Sequence, residues 1–212
     1  MLNLKMDKRI ALLPLLFAQA IVAWGNPGNG FIENKSQWPC EVGFLMDVPG
    51  GQMAVGAGRF DYFFLDYREV NALHMTAHTG FKEVGTAPEN VHINGRKVSV
   101  DFLGSQPSTP AMGKPRPNYY NYFFGNDPGR WASHVRAFEE IYYSNIYDGI
   151  GLKLYDKGPG VKYDLVVSPG ADPHQVQIAY HGALSVGLSD GDLLVDAEHA
   201  LITEKKPVAY QM

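Results

Sequence analysis

The chain has 212 residues, a formal net charge of −4, and 45% hydrophobic and 12% aromatic residues. This composition excludes a disordered chain, and the acidic balance gives no general attraction for nucleic acid or anionic lipid. The length allows one ordinary domain or two small ones. The 23 glycines, 12 tyrosines and 11 phenylalanines favour strands joined by tight turns over a helical bundle.

The first 25 residues have the pattern of a secretory signal peptide. Three basic residues lie within positions 5–9, and the uncharged run IALLPLLFAQAIVAW follows at 10–24, with small residues suited to cleavage. The run is shorter than the roughly 20 residues that a membrane-spanning helix needs. We therefore expect cleavage, a mature net charge of −6, no membrane insertion, and a secreted, extracellular or cell-surface location.

Cys40 is the single cysteine, so no internal disulfide can form. It lies too far beyond the apolar run to be a lipid-attachment site. The sequence predicts a small buried thiol at this position. An exported chain of this size without a disulfide fits a bacterial origin better than a eukaryotic one.

Residues 26–212 read as a succession of short strands. Two runs show clear period-2 alternation, with one apolar face each: Phe60, Tyr62 and Phe64 in the first, and Val98, Val100 and Phe102 in the second. Strand-like runs recur every 8–12 residues, and Asp190-Gly191 predicts a hairpin turn near the end. This pattern indicates an all-β, antiparallel sandwich-like or barrel-like domain.

The segment around 105–118 carries prolines at 107, 110, 115 and 117. Proline cannot donate to a central ladder, so we expect a loop or connection here. It divides either two sections of one domain or two packed β subdomains. The stretch 144–147 allows a short helix, and the last residues end within a strand-like run, so we expect the amino-terminal fragment of a longer protein.

Five blocks carry a family resemblance: FIENKSQWP at 31–39, NYFFGNDPGRWASHV at 121–135, IYYSNIYDGIGLKLY at 141–155, VKYDLVVSPGADPHQVQIAYHGA at 161–183 and ITEKKPVAYQ at 202–211. Together they resemble the amino-terminal domain that precedes SBBP (β-propeller) repeats in large secreted Bacteroidetes proteins. Such proteins often end in type IX secretion sorting domains or gliding-motility-associated domains. The resemblance implies a domain of uncharacterised function without established catalytic residues. It also implies that downstream repeats of the same protein are its partners.

Asp172 and His174 form the first candidate for chemistry. A catalytic pair would need a nucleophile within reach of the imidazole, and the sequence offers neither a G-x-S-x-G elbow nor a suitable cysteine. Asp before Pro173 is typical of a capped turn. We therefore predict a structural loop between two strands, with a secreted hydrolase or lyase as an alternative.

Metal sites find little support in the sequence. His74 and His78 lie in a strand-like run, where residues four apart are about 13 Å apart. Asp190, Asp192 and Asp196 depart from the spacing of a calcium loop. We expect no metal and no cofactor, and leave open a weak calcium site at the three aspartates.

The aromatic run at 119–131 is the third candidate. Exposed Tyr120, Tyr122 and Trp131 would stack on sugar rings, whereas the alternation of the run favours core packing of at least one face. The sequence as a whole predicts a non-catalytic extracellular structural or interaction module. A carbohydrate-binding module is the alternative, with an extracellular glycan or protein as ligand.

Overall fold

The computed structural model describes residues 10–12, 17–19, 28–66, 94–156 and 160–210. These residues form short strands and two single 3-10 turns. The strands of the first half are β1 (Ile10–Leu12), β2 (Phe17–Gln19), β3 (Phe31–Glu33), β4 (Phe44–Val48), β5 (Gly51–Gly56), β6 (Arg59–Leu65), β7 (Gly95–Phe102) and β8 (Pro110–Met112). The second half contains β9 (Pro115–Phe123), η1 (Pro128–Arg130), β10 (Trp131–Phe138), β11 (Glu140–Tyr147), β12 (Ile150–Asp156), β13 (Val161–Val167), η2 (Pro173–Gln175), β14 (Gln177–His181), β15 (Ser185–Ser189), β16 (Asp192–Asp196) and β17 (Leu201–Glu204).

The strands pair antiparallel in three sheets. A nine-stranded sheet has the order β1-β14-β7-β6-β5-β4-β3-β10-β9, and a five-stranded sheet has the order β2-β13-β12-β11-β8. The third sheet is β15-β16-β17. The all-β antiparallel sandwich predicted from the sequence is confirmed. Within the described ranges, no helix has the length and apolar character to cross a membrane.

The strand residues follow the period-2 pattern of the sequence. Phe60, Tyr62 and Phe64 of β6 are all buried, whereas Asp61 and Phe63 between them lie on the other face. Val98, Val100 and Phe102 of β7 are buried beside them, since β6 and β7 pair along their length. Both predicted faces are therefore confirmed.

One large apolar core lies between the sheets. The nine-stranded sheet contributes Phe31, Phe64 and Ile178, and the five-stranded sheet contributes Ile141 and Leu154. Strands from both sides of residues 105–118 thus share the core. The three-stranded sheet joins it through three buried residues, Leu193, Val195 and Ile202.

The proline-rich segment is a correction to the sequence prediction. Instead of a loop, it contains β8, with Pro110, and the start of β9, with Pro115 and Pro117. Both strands lie at the edges of their sheets. Proline is tolerated there because an edge strand bonds to a neighbour on one side only. The stretch 144–147 is likewise the end of β11 rather than a helix.

Turns lie where the sequence placed them. Asp190 and Gly191 connect β15 to β16 with φ angles of 52° and 90°, the positive values that a two-residue type I′ hairpin requires. Asp127 and Asp172 cap η1 and η2, because each carboxylate accepts a hydrogen bond from the backbone N–H two residues on.

Cys40 is a second correction, because its side chain is exposed rather than buried. Cys40 and Glu41 are the central residues of a turn closed by the Val42 N–H donating to the Pro39 carbonyl at 3.0 Å. The central residues of such a turn project from the surface, so a small apolar side chain there cannot pack in the core.

Candidate functional site

The aromatic run of the sequence forms β9 and β10 at one end of the nine-stranded sheet. Phe123 pairs with Trp131, and Tyr122 pairs with Ala132. Directly paired residues of an antiparallel ladder lie on the same face, and neighbours in a strand lie on opposite faces. Trp131 therefore shares a face with Phe123, whereas Tyr122 points to the other side of the sheet.

We call Tyr119, Phe123 and Trp131 the exposed aromatic face. Their exposed fractions are 56%, 62% and 44%. They lie on the same side of the sheet as Phe138, which is buried against the five-stranded sheet. The described five-stranded sheet ends at β8 and does not cover them. The longer sheet thus overhangs the shorter one and presents three large aromatic side chains to solvent.

A β-bulge in β10 shapes this face. The pairing shifts between Ala132 and Val135, and His134 adopts a positive φ of 53°. The His134 ring stacks on Tyr119 with centroids 4.7 Å apart, and its backbone N–H donates to Asn121 Oδ1 at 3.0 Å. The carbonyl of the same residue accepts from Lys35 Nζ at 3.0 Å. Polar groups therefore border the aromatic rings and hold the bulge in place.

The turn before β10 positions Trp131. Its indole N–H donates to the Gly125 carbonyl at 3.2 Å, and its ring meets Phe123 edge-on, with centroids 5.8 Å apart. Asp127 caps the intervening η1. The tryptophan is thus oriented by its own loop while almost half of its surface stays in contact with water.

Tyr120 and Tyr122 lie on the opposite face. Both are half-buried against a small second core, to which Trp38 also contributes, with its ring 5.3 Å from that of Tyr122. The buried members of this core are Ile32, Ala132, Val135 and Ala137. The predicted stacking trio is therefore not brought together, because only Trp131 lies on the exposed face. Neither face of β9 is fully buried. The predicted core packing of one face is therefore only partial, and it involves the even positions Tyr120 and Tyr122.

Tyr119 and Phe123 lie outside the stacking set predicted from the sequence. Alternation separates the odd from the even positions of β9, but it does not show which set shares a face with Trp131. The pairing register, which follows from the hairpin and its bulge, decides that grouping.

Asp172 and His174 occupy the predicted turn. Both side chains are exposed, and the Asp172 carboxylate accepts from the backbone N–H of His174 at 2.9 Å rather than from its imidazole. The predicted capped turn between two strands is therefore confirmed.

Two of the three aspartates near the end of the chain have separate partners. Asp192 accepts from Lys205 Nζ at 2.8 Å and from the Lys206 N–H, and these bonds lower its pKa. Asp196 accepts from the N–H of Glu198. Among the residues that the structure describes, no three His, Cys, Asp or Glu side chains form a metal-binding group. His74 and His78 lie outside the described residues.

A cavity of about 610 Å³ lies beside the turn that holds Cys40. Arg59 and Asp61 line it, but they are paired with each other at 2.9 Å. Burial tends to raise the pKa of Asp61, yet hydrogen bonds from Ser99, Arg59 and Lys97 lower it overall. Arg59 and Asp61 therefore stabilise the sheet surface and are already engaged with each other.

A buried carboxyl group lies inside the main core. The Tyr163 hydroxyl donates to Glu204 Oε2 at 3.1 Å, and Tyr62 interacts with the same carboxyl. The Tyr180 hydroxyl interacts with it electrostatically without reaching ordinary hydrogen-bond geometry. Burial raises the pKa of Glu204, although the two hydroxyls of Tyr180 and Tyr163 limit the rise. This cluster could not be predicted from the sequence, because its four residues come from four different strands.

The fold and this surface define an antiparallel β-sandwich domain with an exposed aromatic overhang. Residues 31–212 match the family model described as a domain of unknown function (DUF7948), and the chain belongs to that family. The resemblance to an uncharacterised domain is thereby confirmed. No curated protein and no solved structure matches the chain.

Proposed function

We propose that this chain is a non-catalytic interaction module that binds its partner through the exposed aromatic face. Tyr119, Phe123 and Trp131 carry the proposal, since exposed aromatic side chains on one face of a sheet, bordered by polar groups, are typical of binding surfaces. Aromatic residues of this kind are also the side chains that contribute most to binding energy at interfaces.

We further propose that the module is exported and acts outside the cell. The basic and apolar pattern of residues 1–25 supports export, and the five sequence blocks support a position ahead of SBBP repeats in a secreted Bacteroidetes protein. Downstream repeats of the same protein are then the first partner to test. Reading the gene beyond codon 212 tests this directly, because propeller repeats followed by a sorting domain are the expected continuation.

Glycan binding is the second candidate function, and the residue composition of the exposed aromatic face favours it. Tyrosine and tryptophan rings stack on the apolar faces of sugars, and bound sugars also need hydrogen-bonding groups nearby. Asn121 and Arg136 lie on the same side of the sheet as the three aromatic rings. Both are exposed and provide such groups.

A glycan array with three matched variants tests this candidate. If a glycan binds the unmodified domain, Trp131→Ala and Tyr119→Ala should each weaken binding about tenfold or more, since truncated aromatic anchors cost on the order of 2 kcal/mol. Tyr210→Ala removes an equally exposed ring from another part of the surface and should leave binding unchanged.

The outcomes separate the two candidates. Glycan binding that is lost in the Trp131 and Tyr119 variants supports the hypothesis of a carbohydrate-binding module. No glycan binding, together with capture of the downstream repeats that the same variants abolish, supports the structural role. Unchanged binding of every partner by both variants would exclude the aromatic face as the site.

A further inference from the structure

We propose that the free edge of β9 pairs with β9 of a second copy of this chain and joins two domains into one continuous sheet. Among the described strands, β9 bonds only to β10, and it ends the nine-stranded sheet. An edge strand presents a row of unpaired backbone N–H and C=O groups, which other strands can pair with.

Protection of this edge is uneven. Pro115 and Pro117 lie in its first part, and prolines are a feature by which proteins prevent edge pairing. The pairing with β10 shifts beside both parts, between Arg136 and Phe138 and between Ala132 and Val135, so these shifts do not distinguish the two parts. The second part, Tyr119–Phe123, has neither proline nor charge, and three of its five residues are exposed. Only this part is open to another strand.

The sequence of that part fits a second copy of itself. Tyr119-Tyr120-Asn121-Tyr122-Phe123 is nearly symmetric about Asn121. An antiparallel pair with its two-fold axis at Asn121 sets Tyr119 opposite Phe123 of the second copy, and Tyr120 opposite Tyr122. Aromatic cross-strand pairs stabilise sheets, and no like charges meet. The contact uses the same patch on both copies, as a closed two-fold dimer requires.

The pairing also has a consequence for the exposed aromatic face. A two-fold axis perpendicular to the sheet keeps Tyr119 and Phe123 of both copies on one side. The two aromatic faces then become continuous across the axis. A repetitive ligand would be bound by both copies at once, which increases avidity without any new contact.

Charge substitutions at Asn121 test the pairing. Its side chain is exposed and would face its own counterpart across the axis. Its Oδ1 also accepts from the His134 N–H, and aspartate keeps this acceptor whereas lysine removes it. Sedimentation equilibrium should show a reversible dimer for the unmodified chain. Asn121→Lys and Asn121→Asp should each weaken self-association about fivefold or more, because each sets like charges opposite one another. An equimolar mixture of the two variants should restore association, since opposite charges then meet.

Two controls keep the test independent of folding. Thermal unfolding of each variant shows whether the domain is intact, and recovery in the mixture cannot occur if one variant is unfolded. Asn126→Lys and Asn126→Asp make the same charge changes at an exposed turn residue away from the edge and should leave the dimer unchanged.

Three results would overturn the proposal: a monomeric unmodified chain, a dimer that neither Asn121 variant weakens, or a mixture that does not recover. If hydrogen exchange instead shows β9 amides protected only in the presence of downstream repeats, the edge pairs with those repeats and not with a second copy.

Discussion

Glu204 illustrates how a single buried acid sets the pH response of a β-sandwich. Its carboxyl group is almost fully buried in the core and has tyrosine hydroxyls as its neighbours. Burial disfavours the charged form, so the pKa of Glu204 is raised in the folded state above its value in the unfolded chain. The folded protein therefore holds this proton more tightly than the unfolded chain does.

The sign of the stability effect follows from that difference. The contribution of Glu204 is fully present below its unfolded pKa and is lost as the pH rises through its folded pKa. We predict that Glu204→Gln is more stable than the unmodified chain at neutral pH, by about 1 kcal/mol or more, since glutamine carries no charge to bury. The advantage should shrink as the pH falls toward 4.

Urea unfolding of both proteins across the pH range measures this difference. Glu41→Gln makes the same chemical change at an exposed position and serves as the control, and we expect no comparable gain in stability at neutral pH. A Glu204→Gln variant that is less stable at neutral pH would mean that the tyrosine hydroxyls stabilise the ionised carboxylate more than burial opposes it.

At the scale of elements, the ion pair between Arg116 and Asp156 connects the two large sheets. Arg116 of β9 donates to the Asp156 carboxylate at the end of β12 at 2.5 Å, and the Asp156 side chain is only 2% exposed. Gly30 lies against this pair with a φ of 76°, where an added Cβ would come within 2.7 Å of the Phe138 carbonyl oxygen. Burial raises the pKa of Asp156, and Arg116 limits that rise.

We predict that Arg116→Met destabilises the domain by about 2 kcal/mol, because the buried Asp156 carboxylate loses its cationic partner and keeps only the backbone hydrogen bond from Gly30. This loss of unfolding free energy is smaller than for a fully buried ion pair, because a third of the Arg116 side chain is exposed. Asp156→Asn in the same chain should recover part of the loss. A double-mutant cycle measured by chemical unfolding gives the coupling free energy between Arg116 and Asp156. Additive effects of the two substitutions would show that this ion pair does not stabilise the domain.

The elements differ in how far the sequence determines them. Period-2 burial in β6 and β7 is local, because Phe60, Tyr62 and Phe64 need only one covered face, and it could be predicted. The strands β8 and β9 could not, because proline is allowed or excluded by the position of a strand in its sheet, which is a tertiary property. Exposure of Cys40 likewise depends on which side of a turn meets solvent.

At the scale of the whole molecule, the unequal widths of the two large sheets create the candidate site. The even positions of β9 pack on a small core that Trp38 helps to cover, whereas no described strand of the five-stranded sheet covers the exposed odd positions from Tyr119 to Phe123. The sequence shows that the run is aromatic and alternating, but not whether its odd or its even positions are covered. The choice of Tyr119 and Phe123 over Tyr120 and Tyr122 as partners of Trp131 therefore could not be predicted.

Hydroxyl-radical footprinting of the chain, with and without its partner, examines the proposed binding face directly. With the partner present, whether downstream repeats or an added glycan, oxidation of Tyr119, Phe123 and Trp131 should fall severalfold while that of Tyr210 stays constant. Equal oxidation of the three aromatic residues in the free and bound states would show that partners bind elsewhere.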